Sequence, residues 1–488
     1  MGGWEGADGD SGQIPPPMGD HRSAGEALLV RGGISARSCF TRLCPSAPPM
    51  SLRPKRLRRP VRREDWFRPK NLPHFDAPLR SRTEALRIVG DPRSVARHAF
   101  LPLIAFSKRH RRFTSGPEGV PVGKVKVRPL AACANRDATI FAYYAHLLRE
   151  RYEALLGPLG IDACVVGYRR GMSNVEIARD AFAEIAVRGR CVALALDIEG
   201  FFDNIPHATL KAGWTQVLGR PGGDLPEDHY AVFKALTRYS TVERDQCLER
   251  LGHPAGEGLD GLPTPLCTIE DFRRLIRGDG SAFPSIIKRN RNAWGIPQGT
   301  PLSPVAANIA MLAFDATVAA EMLRAGGYYR RYSDDILVVC DPEQAVRLEA
   351  FVAAALSTHA PGLRLKDEKA QRVQFFGGRT HCQPSALQYL GFTFDGRQTL
   401  LRSSTLARQW RRLAAAVRWA KARRGMAVAG KIEGRSTVHR KSLLTRYSHL
   451  GEGNFHTGYA ARAGKVMGTR AVRRQLRNHM GFLADRLR

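Results

Sequence analysis

Three carboxylates in this chain stand where metal-assisted chemistry needs them. Asp334 and Asp335 lie between a segment rich in Gly and Tyr and the apolar run 336–340, a pattern that predicts the tip of a β-hairpin. Asp197 ends the apolar run 191–196, which predicts a buried strand. An Asp-Asp pair alone is typical of a solvated turn, but charge at the edge of a buried strand is costly without a cation. The residue types therefore favour a divalent metal.

These carboxylates gain meaning as a set. Two-metal phosphoryl transfer needs carboxylates from separate strands that converge on ions roughly 3.5–4 Å apart. A strand-end aspartate and a hairpin aspartate pair meet that need. Asp203 is the competing candidate ligand, but its position beyond the strand end favours a helix cap or a local hydrogen bond. The pattern predicts a metal site between a strand and a hairpin.

The charge and composition of the chain favour a folded protein that binds a polyanion. Its 488 residues carry a formal net charge of +31, and 43% of them are hydrophobic, which is enough apolar material for packed cores. Such an excess of positive charge attracts phosphate backbones, so nucleic acid is the leading partner. A general bias towards basic residues would produce the same charge, which by itself says nothing about the fold.

Cysteine spacing and hydropathy argue against several classes of protein. The nine cysteines include no Cys-x-x-Cys pair, which disfavours a zinc finger and a disulfide framework. No apolar run reaches the roughly 18 residues of a membrane span, and the first residues lack the pattern of a secretion signal. We therefore expect a cytoplasmic protein without membrane contact.

Hydrophobic periodicity predicts helices and strands along most of the chain. The expected elements are short helices within 84–112, a strand over 125–128, helices over 139–152 and 174–187, a helix near 230–239 followed mostly by loop to 292, a helix over 342–356, a strand over 387–394 and a basic amphipathic helix over 405–424. Residues 1–49 are rich in Gly, Pro and Ser without periodicity, so we expect them to be disordered.

Several motifs occur in an order that resembles a known family. Asp197 with Phe201 and Phe202, the run 295–304 through Asn308, and the segment 332–335 resemble the palm motifs of reverse transcriptases. The further similarities are Val127–Leu130 with Arg136 and Asp137, and Gly167–Gly171 with Ser173, which resemble fingers motifs of group II intron and bacterial retroelement enzymes; Glu368 with Lys369, which resembles a motif containing a lysine; and Tyr389–Phe392, which resembles the primer grip. Together they cover about 124–394.

The resemblance implies an α+β, right-hand polymerase fold with fingers, a palm built on an antiparallel sheet, and a helical thumb. It divides the chain into a disordered segment 1–49, a basic N-terminal extension 50–115, the fingers and palm 116–400, and a basic helical thumb or C-terminal RNA-binding region 401–488. The basic stretch 51–70 fits an arm that grips phosphates, and equally a solvated tail. No Cys or His cluster follows the palm, which argues against a zinc-binding endonuclease.

The resemblance also implies roles for single residues. The catalytic carboxylates would be Asp197, Asp334 and Asp335, holding two Mg²⁺ ions for which Mn²⁺ can substitute, with Asp335 as the weaker ligand. Arg128 and Lys126 would bind the triphosphate, Phe202 would block a ribose 2′-hydroxyl, Gln298 and Gly299 would lie against the nucleotide and template, and Lys369 would protonate the leaving pyrophosphate. Lys126 also fits a solvated strand face, Lys369 an ordinary surface lysine, and Phe202 a core residue.

The residues expected to contact nucleic acid are Arg136, Arg169, Arg170, Tyr389 and Gly391. The implied function is an RNA-directed DNA polymerase whose partners are an RNA template, a DNA product and dNTPs. Short similarities over 68–76 and 98–103 favour the stand-alone bacterial enzymes of antiphage defence, which commonly copy a structured non-coding RNA. The alternatives are a group II intron or diversity-generating reverse transcriptase and a non-catalytic maturase-like RNA-binding protein. An RNA-dependent RNA polymerase is disfavoured by the aromatic residue at 202.

Overall fold

The computed structural model describes residues 66–69, 71–115, 121–253, 259, 261–280, 282–366, 368, 370–380, 385–429 and 437–487. The segment expected to be disordered, the basic stretch as far as residue 65, and Lys369 lie outside the described residues. The described residues belong to one compact unit of mixed helices and strands, which confirms the α+β class. The three boundaries between the four expected segments remain predictions.

The first described elements include the first two strands of a four-stranded sheet, which we call the fingers sheet. They are α1 (Arg82–Val89), α2 (Pro92–Ala96), β1 (Leu103–Ser115), β2 (Pro121–Ala132) and α3 (Asn135–Leu156). Short helices were expected through residue 112, but the helices end at Ala96. The segment after Pro102 is a strand because it pairs antiparallel with β2 along its length, from Ile104 opposite Ala132 to Ser115 opposite Pro121. Pairing with a partner strand overrode the local pattern.

The next elements lead into the palm and then into an inserted segment. They are α4 (Asn174–Arg188), β3 (Cys191–Asp197), α5 (Phe201–Asn204), α6 (His207–Val217), α7 (Glu227–Thr237), β4 (Ser240–Glu243), α8 (Arg244–Arg250), α9 (Ile269–Asp271), a π-helix (Phe272–Gly278) and β5 (Lys288–Arg289). The helix expected near 230–239 is α7. The loop expected after it contains β4 and β5, which extend the fingers sheet in the order β2-β1-β4-β5.

The palm continues with helices and an antiparallel sheet. Its elements are α10 (Ser303–Ala310), α11 (Leu312–Arg324), β6 (Tyr328–Tyr332), β7 (Asp335–Cys340), α12 (Ala345–His359), β8 (Gln371–Phe376) and β9 (Arg379–Thr380). The palm sheet has the order β6-β7-β3-β8-β9, and all its neighbours are antiparallel. This confirms the expected antiparallel palm.

Both faces of the palm sheet are covered. Val192 and Val338 pack on one face against the helices of the larger core cluster, while Ala193 and Val339 pack on the other with α4 and the following small sheet. Strands buried on both faces read as continuous apolar runs, which is why 191–196 and 336–340 show no alternation. The aspartates come where this double burial ends.

The C-terminal part contains a small sheet and the thumb helices. Its elements are β10 (Leu387–Tyr389), β11 (Phe392–Phe394), β12 (Thr399–Leu401), α13 (Ser403–Val428), α14 (Arg440–Tyr447), a π-helix (Phe455–Ala460), α15 (Ala461–Val466), α16 (Ala471–Arg474) and α17 (His479–Leu487). The single strand expected over 387–394 is a hairpin, because Leu390 and Gly391 both have positive φ and form a two-residue turn. The basic helix α13 buries Leu413 and Val417, as its pattern predicted.

Within the described ranges, no individual helix combines the length and apolar composition needed to cross a membrane. The pair α10 and α11, bent by 52° at their junction, meets that criterion only jointly.

Candidate active site

The three predicted carboxylates come together at one end of the palm sheet. Asp197, the last residue of the central strand β3, is directly opposite Asp335, the first residue of β7. The next amide, that of Ile198, donates to the Asp334 carbonyl at 3.0 Å. Paired residues on antiparallel strands have Cα atoms about 4.5–5.5 Å apart and side chains on the same face. The pairing of β3 with β7 therefore fixes Asp197 and Asp335 side by side.

Asp334 lies in a two-residue turn between β6 and β7. Ser333, the first residue of the turn, has a φ of 62°, whereas Asp334 does not have a positive φ, a combination found in type II′ hairpin turns. Gly167 packs directly against this turn, since a Cβ there would lie 2.6 Å from the Ser333 amide nitrogen. The Ser333 hydroxyl also donates to the Tyr168 phenol oxygen at 3.1 Å. The turn is therefore held from outside by two consecutive residues.

A buried polar network supports the Ser333–Asp334 turn from below. The Arg331 guanidinium donates to both oxygens of Asp315, at 2.7 and 2.6 Å, and the two side chains are completely buried. The same guanidinium donates to the Ser333 carbonyl at 3.1 Å and to the Asn308 amide oxygen at 3.3 Å. Asn308 in turn donates to the Gly167 carbonyl at 2.9 Å. One arginine thus connects the turn to the glycine that packs against it.

The carboxylate set suits a hard divalent cation. Across the described ranges, no three His, Cys, Asp or Glu side chains form a ready-made metal cage. Mg²⁺ does not require one, because it is usually bound by one or two carboxylates and completes its shell with waters and substrate phosphates. Asp197, Asp334 and Asp335 provide only oxygen donors and are partly exposed. Their chemistry fits Mg²⁺ or Mn²⁺.

The residues after β3 form the wall expected to face a nucleotide. Phe201 is buried in the core, whereas Phe202 is partly exposed, with its ring centroid 6.4 Å from that of Tyr168. Gln298 donates its side-chain amide to Asp203 at 3.4 Å, so Asp203 bonds to a distant residue rather than capping locally. Gly299 has a φ of 120°, and a Cβ there would lie 2.6 Å from the Ala131 carbonyl oxygen. Only glycine fits this approach to β2.

The predicted triphosphate residues lie on β2. Arg128 is exposed and directly opposite Lys108 of β1, and Lys126 lies two residues away on the same face. Burial raises the pKa of the Tyr168 phenol, the nearby Asp334 carboxylate raises it further, and Arg128 lowers it. Arg128 and Asp334 thus both act electrostatically on Tyr168.

Two of the residues expected to contact nucleic acid, Arg169 and Tyr389, have buried side chains. The Arg169 guanidinium is 5% exposed and pairs with Glu153 at 2.6 Å and Asp162 at 2.7 Å. It also donates to the Val165 carbonyl, so protein acceptors enclose it. The Tyr389 ring is buried in the core cluster shared by β10–β12 and α4. Their sequence positions matched a motif, but their side chains are structural.

The other predicted contacts remain available at the surface. Arg136 is exposed at the start of α3, and Arg170 is also exposed and donates to Glu150 at 2.9 Å. Gly391 lies in the β10–β11 turn, with a φ of 93°. Asn174 donates to the Leu390 carbonyl of this turn at 3.0 Å and to the Tyr459 hydroxyl at 3.1 Å. The turn is therefore joined to both the palm and the C-terminal helices.

Sequence reasoning missed the supporting residues Arg331, Asp315 and Asn308. A signal existed for Asp315, because it falls on the same helical face as the buried Val318 and Met322. An acid on a buried face needs a cation. Arg331 gave no comparable signal, since it stands beside Arg330 in a segment that reads as an ordinary basic strand.

The fold also assembles a histidine cluster that the spacing did not predict. His449 Nδ1 and His479 Nε2 are 2.8 Å apart, and the ring centroids of His456 and His479 are 4.4 Å apart. Burial is the main reason that the pKa of His456 falls to about 4, with His479 and His449 adding to the effect. These rings, in the described part of the thumb, do not form a metal cage.

Comparison with known proteins gives one family match and several similar structures. Residues 281–394 match the family model described as reverse transcriptase (RNA-dependent DNA polymerase). No curated protein matches the chain. Among solved structures, apo telomerase from Candida tropicalis truncated from its C-terminal domain is similar at 9% identity and a TM-score of 0.39, over 60% of this chain and 55% of that one. Telomerase from Candida albicans in complex with a TWJ fragment of telomeric RNA is similar at 11% identity and a TM-score of 0.34, over 81% of this chain and 58% of that one.

The matched segment contains Gln298, the Ser333–Asp334 turn and the β10–β11 hairpin, and Asp197 precedes it in the chain. The chain spans a little over half the length of each of these telomerases. Residues 281–394 are therefore similar to the reverse transcriptase domain of RNA-directed DNA polymerases, which are nucleotidyltransferases.

Proposed function

We propose that the protein is an RNA-directed DNA polymerase that adds dNTPs to a primer on an RNA template. The observation that carries the proposal is the register of β3 and β7, which places Asp197 opposite Asp335 with the Asp334 carbonyl bonded to the next amide. Catalytic groups must be held within a fraction of an ångström of their working geometry. A strand ladder is among the most rigid ways to hold them.

The metal ions would be held by Asp197 and Asp334, with Asp335 assisting. When bound, two such ions activate the attacking oxygen and stabilise the leaving group. The remaining work belongs to the chain. Arg128 binds the triphosphate through its guanidinium fork, with Lys126 beside it. Lys369 protonates the leaving pyrophosphate, and Gln298 and Gly299 lie against the nucleotide and template.

Phe202 supports a choice of dNTPs over NTPs. Its ring is partly exposed, and the ring of Tyr168 lies beside it. A fixed aromatic at this position would leave no room for a 2′-hydroxyl. The partly exposed state of Phe202, compared with the buried Phe201, supports a contact role rather than a core role.

The nucleic-acid partners would be an RNA template and the DNA product. Helix α13 supports this, because its exposed face carries Trp419 and Arg423, with the guanidinium 5.3 Å from the ring centroid. We further propose a structured non-coding RNA as template, a cytoplasmic location and a role in antiphage defence, on the strength of the similarities over 68–76 and 98–103. An intron-encoded or diversity-generating enzyme is the second candidate from the same motifs. A non-catalytic maturase-like role is disfavoured by the intact carboxylates.

Primer extension tests the proposal. The full chain with a primed RNA, dNTPs and Mg²⁺ is expected to extend the primer, and Asp334→Asn is expected to abolish extension. Asp224→Asn is the matched control, since its side chain is 98% exposed and far from these strands in sequence. Failure of the unaltered protein to extend any primed RNA would remove the polymerase proposal. Normal extension by Asp334→Asn would remove the metal assignment alone.

A further inference from the structure

The inserted segment between α6 and α10 forms one edge of the fingers sheet. Strand β4 pairs parallel with β1, and β5 pairs antiparallel with β4, so β5 is the outermost strand. Its two residues, Lys288 and Arg289, are both exposed. Cations on an edge strand discourage pairing with another sheet. Protection of the sheet edge explains the cations of β5, but it does not explain why Trp294 in the next loop is exposed.

A tryptophan is displayed just beyond β5 on a firmly held backbone. Trp294 is 50% exposed. The Asn290 side chain donates to the carbonyls of Thr237 and Trp294 at 2.9 and 3.1 Å. The His207 amide donates to the Ala293 carbonyl at 2.9 Å, and the His207 ring to the Gly295 carbonyl at 2.8 Å. The loop is rigid, so the exposure of the indole is built into the fold.

Four exposed cations lie on the segments that hold the Trp294 loop. Arg238 and Arg291 are exposed like Lys288 and Arg289. Arg238 lies between the two residues that Asn290 bonds to, Thr237 and Tyr239. Among the described residues, none of these four cations forms an ion pair. An exposed aromatic ring with unpaired cations around it is the combination that binds single-stranded nucleic acid, through base stacking and phosphate contacts.

The position of the loop indicates which strand would bind there. Two residues after Trp294, the Ile296 amide donates to the Phe202 carbonyl, and the Gln298 carbonyl accepts from Ala131 of β2. The loop thus leads into the nucleotide wall from the fingers side. The β10–β11 turn, whose sequence resembles the primer grip, contacts α4 and Tyr459 instead. The strand on the fingers side would be the template that has not yet been copied.

We propose that Trp294, with Arg238, Lys288, Arg289 and Arg291, forms a binding site for the unpaired template RNA ahead of the active site. The proposal rests on the proposed function for the identity of the strand. Trp294 stacks on a base, and the four cations contact the phosphates on either side of it. This gives the inserted segment a function in holding the template.

Equilibrium binding without dNTPs tests the proposal independently of polymerisation. The full chain is titrated with one primer–template duplex in three forms, which are blunt, with a 5′ RNA overhang of about eight nucleotides, and with a 3′ DNA overhang. The unaltered protein is expected to prefer the RNA overhang. Trp294→Ala should weaken that form by about 5- to 100-fold, as loss of one stacked base predicts, and leave the blunt duplex unchanged.

Further variants separate stacking from charge and from misfolding. Trp294→Phe should restore most of the binding. The double variant Arg289→Ala with Arg291→Ala should make the slope of the logarithm of the binding constant against the logarithm of salt concentration shallower by roughly 0.7 per lost phosphate contact. Tyr230→Ala is the matched control, because Tyr230 is 49% exposed in the same inserted segment but follows Glu227 and Asp228. The proposal is overturned if Trp294→Ala binds the RNA overhang normally, if it weakens all three forms equally, or if only the DNA overhang is affected.

Discussion

Arg331 and Asp315 form a completely buried two-point ion pair directly beneath the turn that carries Asp334. Burial would lower the pKa of the guanidinium, but the Asp315 carboxylate outweighs it and the pKa is raised. Tyr329 donates its hydroxyl to the same carboxylate at 2.7 Å. The residues that hydrogen-bond to the pair are Tyr329, Asn308 and Ser333, and all three are buried. The network therefore connects the palm core to the candidate active site without contact with solvent.

Breaking this pair should separate stability from activity. Arg331→Met leaves the Asp315 charge unpaired and should cost about 3–5 kcal/mol of unfolding free energy. Adding Asp315→Leu should restore most of that stability, because apolar replacement of a whole buried pair is often neutral. Primer extension should stay low in the double variant, since the Ser333 carbonyl still lacks its donor. Chemical denaturation and extension rates measure the two effects, and full activity in the double variant would contradict the positioning role. Arg324→Met, which removes an exposed arginine, is the control.

Replacing Gly167 by Ala should displace the Ser333–Asp334 turn. The new methyl group would lie 2.6 Å from the Ser333 amide nitrogen and 3.0 Å from two Tyr332 backbone atoms. Backbone cannot yield as a flexible side chain does, so we expect about 1–3 kcal/mol of destabilisation and roughly a 100-fold loss of extension rate. Gly157→Ala is the control, because nothing lies within 4 Å of a Cβ there. Equal rates for the two variants would show that the close approach is unimportant.

Replacing Phe202 by Ala should relax sugar selection. Removing the ring opens the space next to Tyr168 that the 2′-hydroxyl of an NTP would occupy. The ratio of kcat/KM for dNTP over NTP is expected to fall by roughly 10-fold or more, and Phe202→Tyr should keep the original ratio. Single-nucleotide incorporation measures both. If Phe202→Ala selects dNTPs over NTPs as well as the unaltered protein does, Phe202 does not block the 2′-hydroxyl.

Replacing Asn174 by Ala should loosen the β10–β11 turn. This side chain makes two hydrogen bonds, one to the Leu390 carbonyl and one to the Tyr459 hydroxyl. Each is worth about 0.5–1.5 kcal/mol, so folding should survive, while the product length made per binding event should shorten. Tyr459→Phe removes only the second bond and should have a smaller effect. Extension in the presence of a trap for released protein measures this, and unchanged lengths would count against a role in holding the primer.

Acid should destabilise the contact between the chain around His74 and β2. Burial lowers the pKa of this imidazole to about 4, against the opposing effects of Asp76 and the Ala132 carbonyl. Its Nδ1 accepts from the Phe75 amide at 2.9 Å, and its Nε2 donates to the Ala132 carbonyl at 3.3 Å, so only the neutral ring makes both bonds. The unfolded chain binds a proton below about pH 6.5, whereas the folded protein does not until about pH 4.

The stability contributed by neutral His74 is therefore complete above about pH 6.5 and is lost as the pH falls towards about 4. His74→Asn stays neutral and should reduce the dependence of Tm on pH across this window. His439→Asn is the control, since His439 is exposed and Asn retains its capping acceptor for the Ser442 amide. An unchanged pH dependence in His74→Asn would contradict the assignment.

Local patterns predicted the elements that carry the carboxylates. The strands before Asp197 and after Asp335 were readable because double burial produces unbroken apolar runs, and the turn between Tyr332 and Asp335 because polar residues separate two strand patterns. The strand after Pro102 and the strands β4 and β5 were not readable, because they are short or mixed and exist only through pairing with partners distant in the chain.

By itself, the sequence determined which acids end strands and which segment forms a hairpin, since both depend on neighbouring residues. Only the tertiary structure decided that Asp197 faces Asp335 and that Arg331 supports the turn beside Asp334. It also decided that Arg169 is enclosed by Glu153 and Asp162, whereas Trp294 is left exposed. The physical reason is that burial and pairing depend on groups that folding brings close together, and these groups are often distant from each other in the sequence.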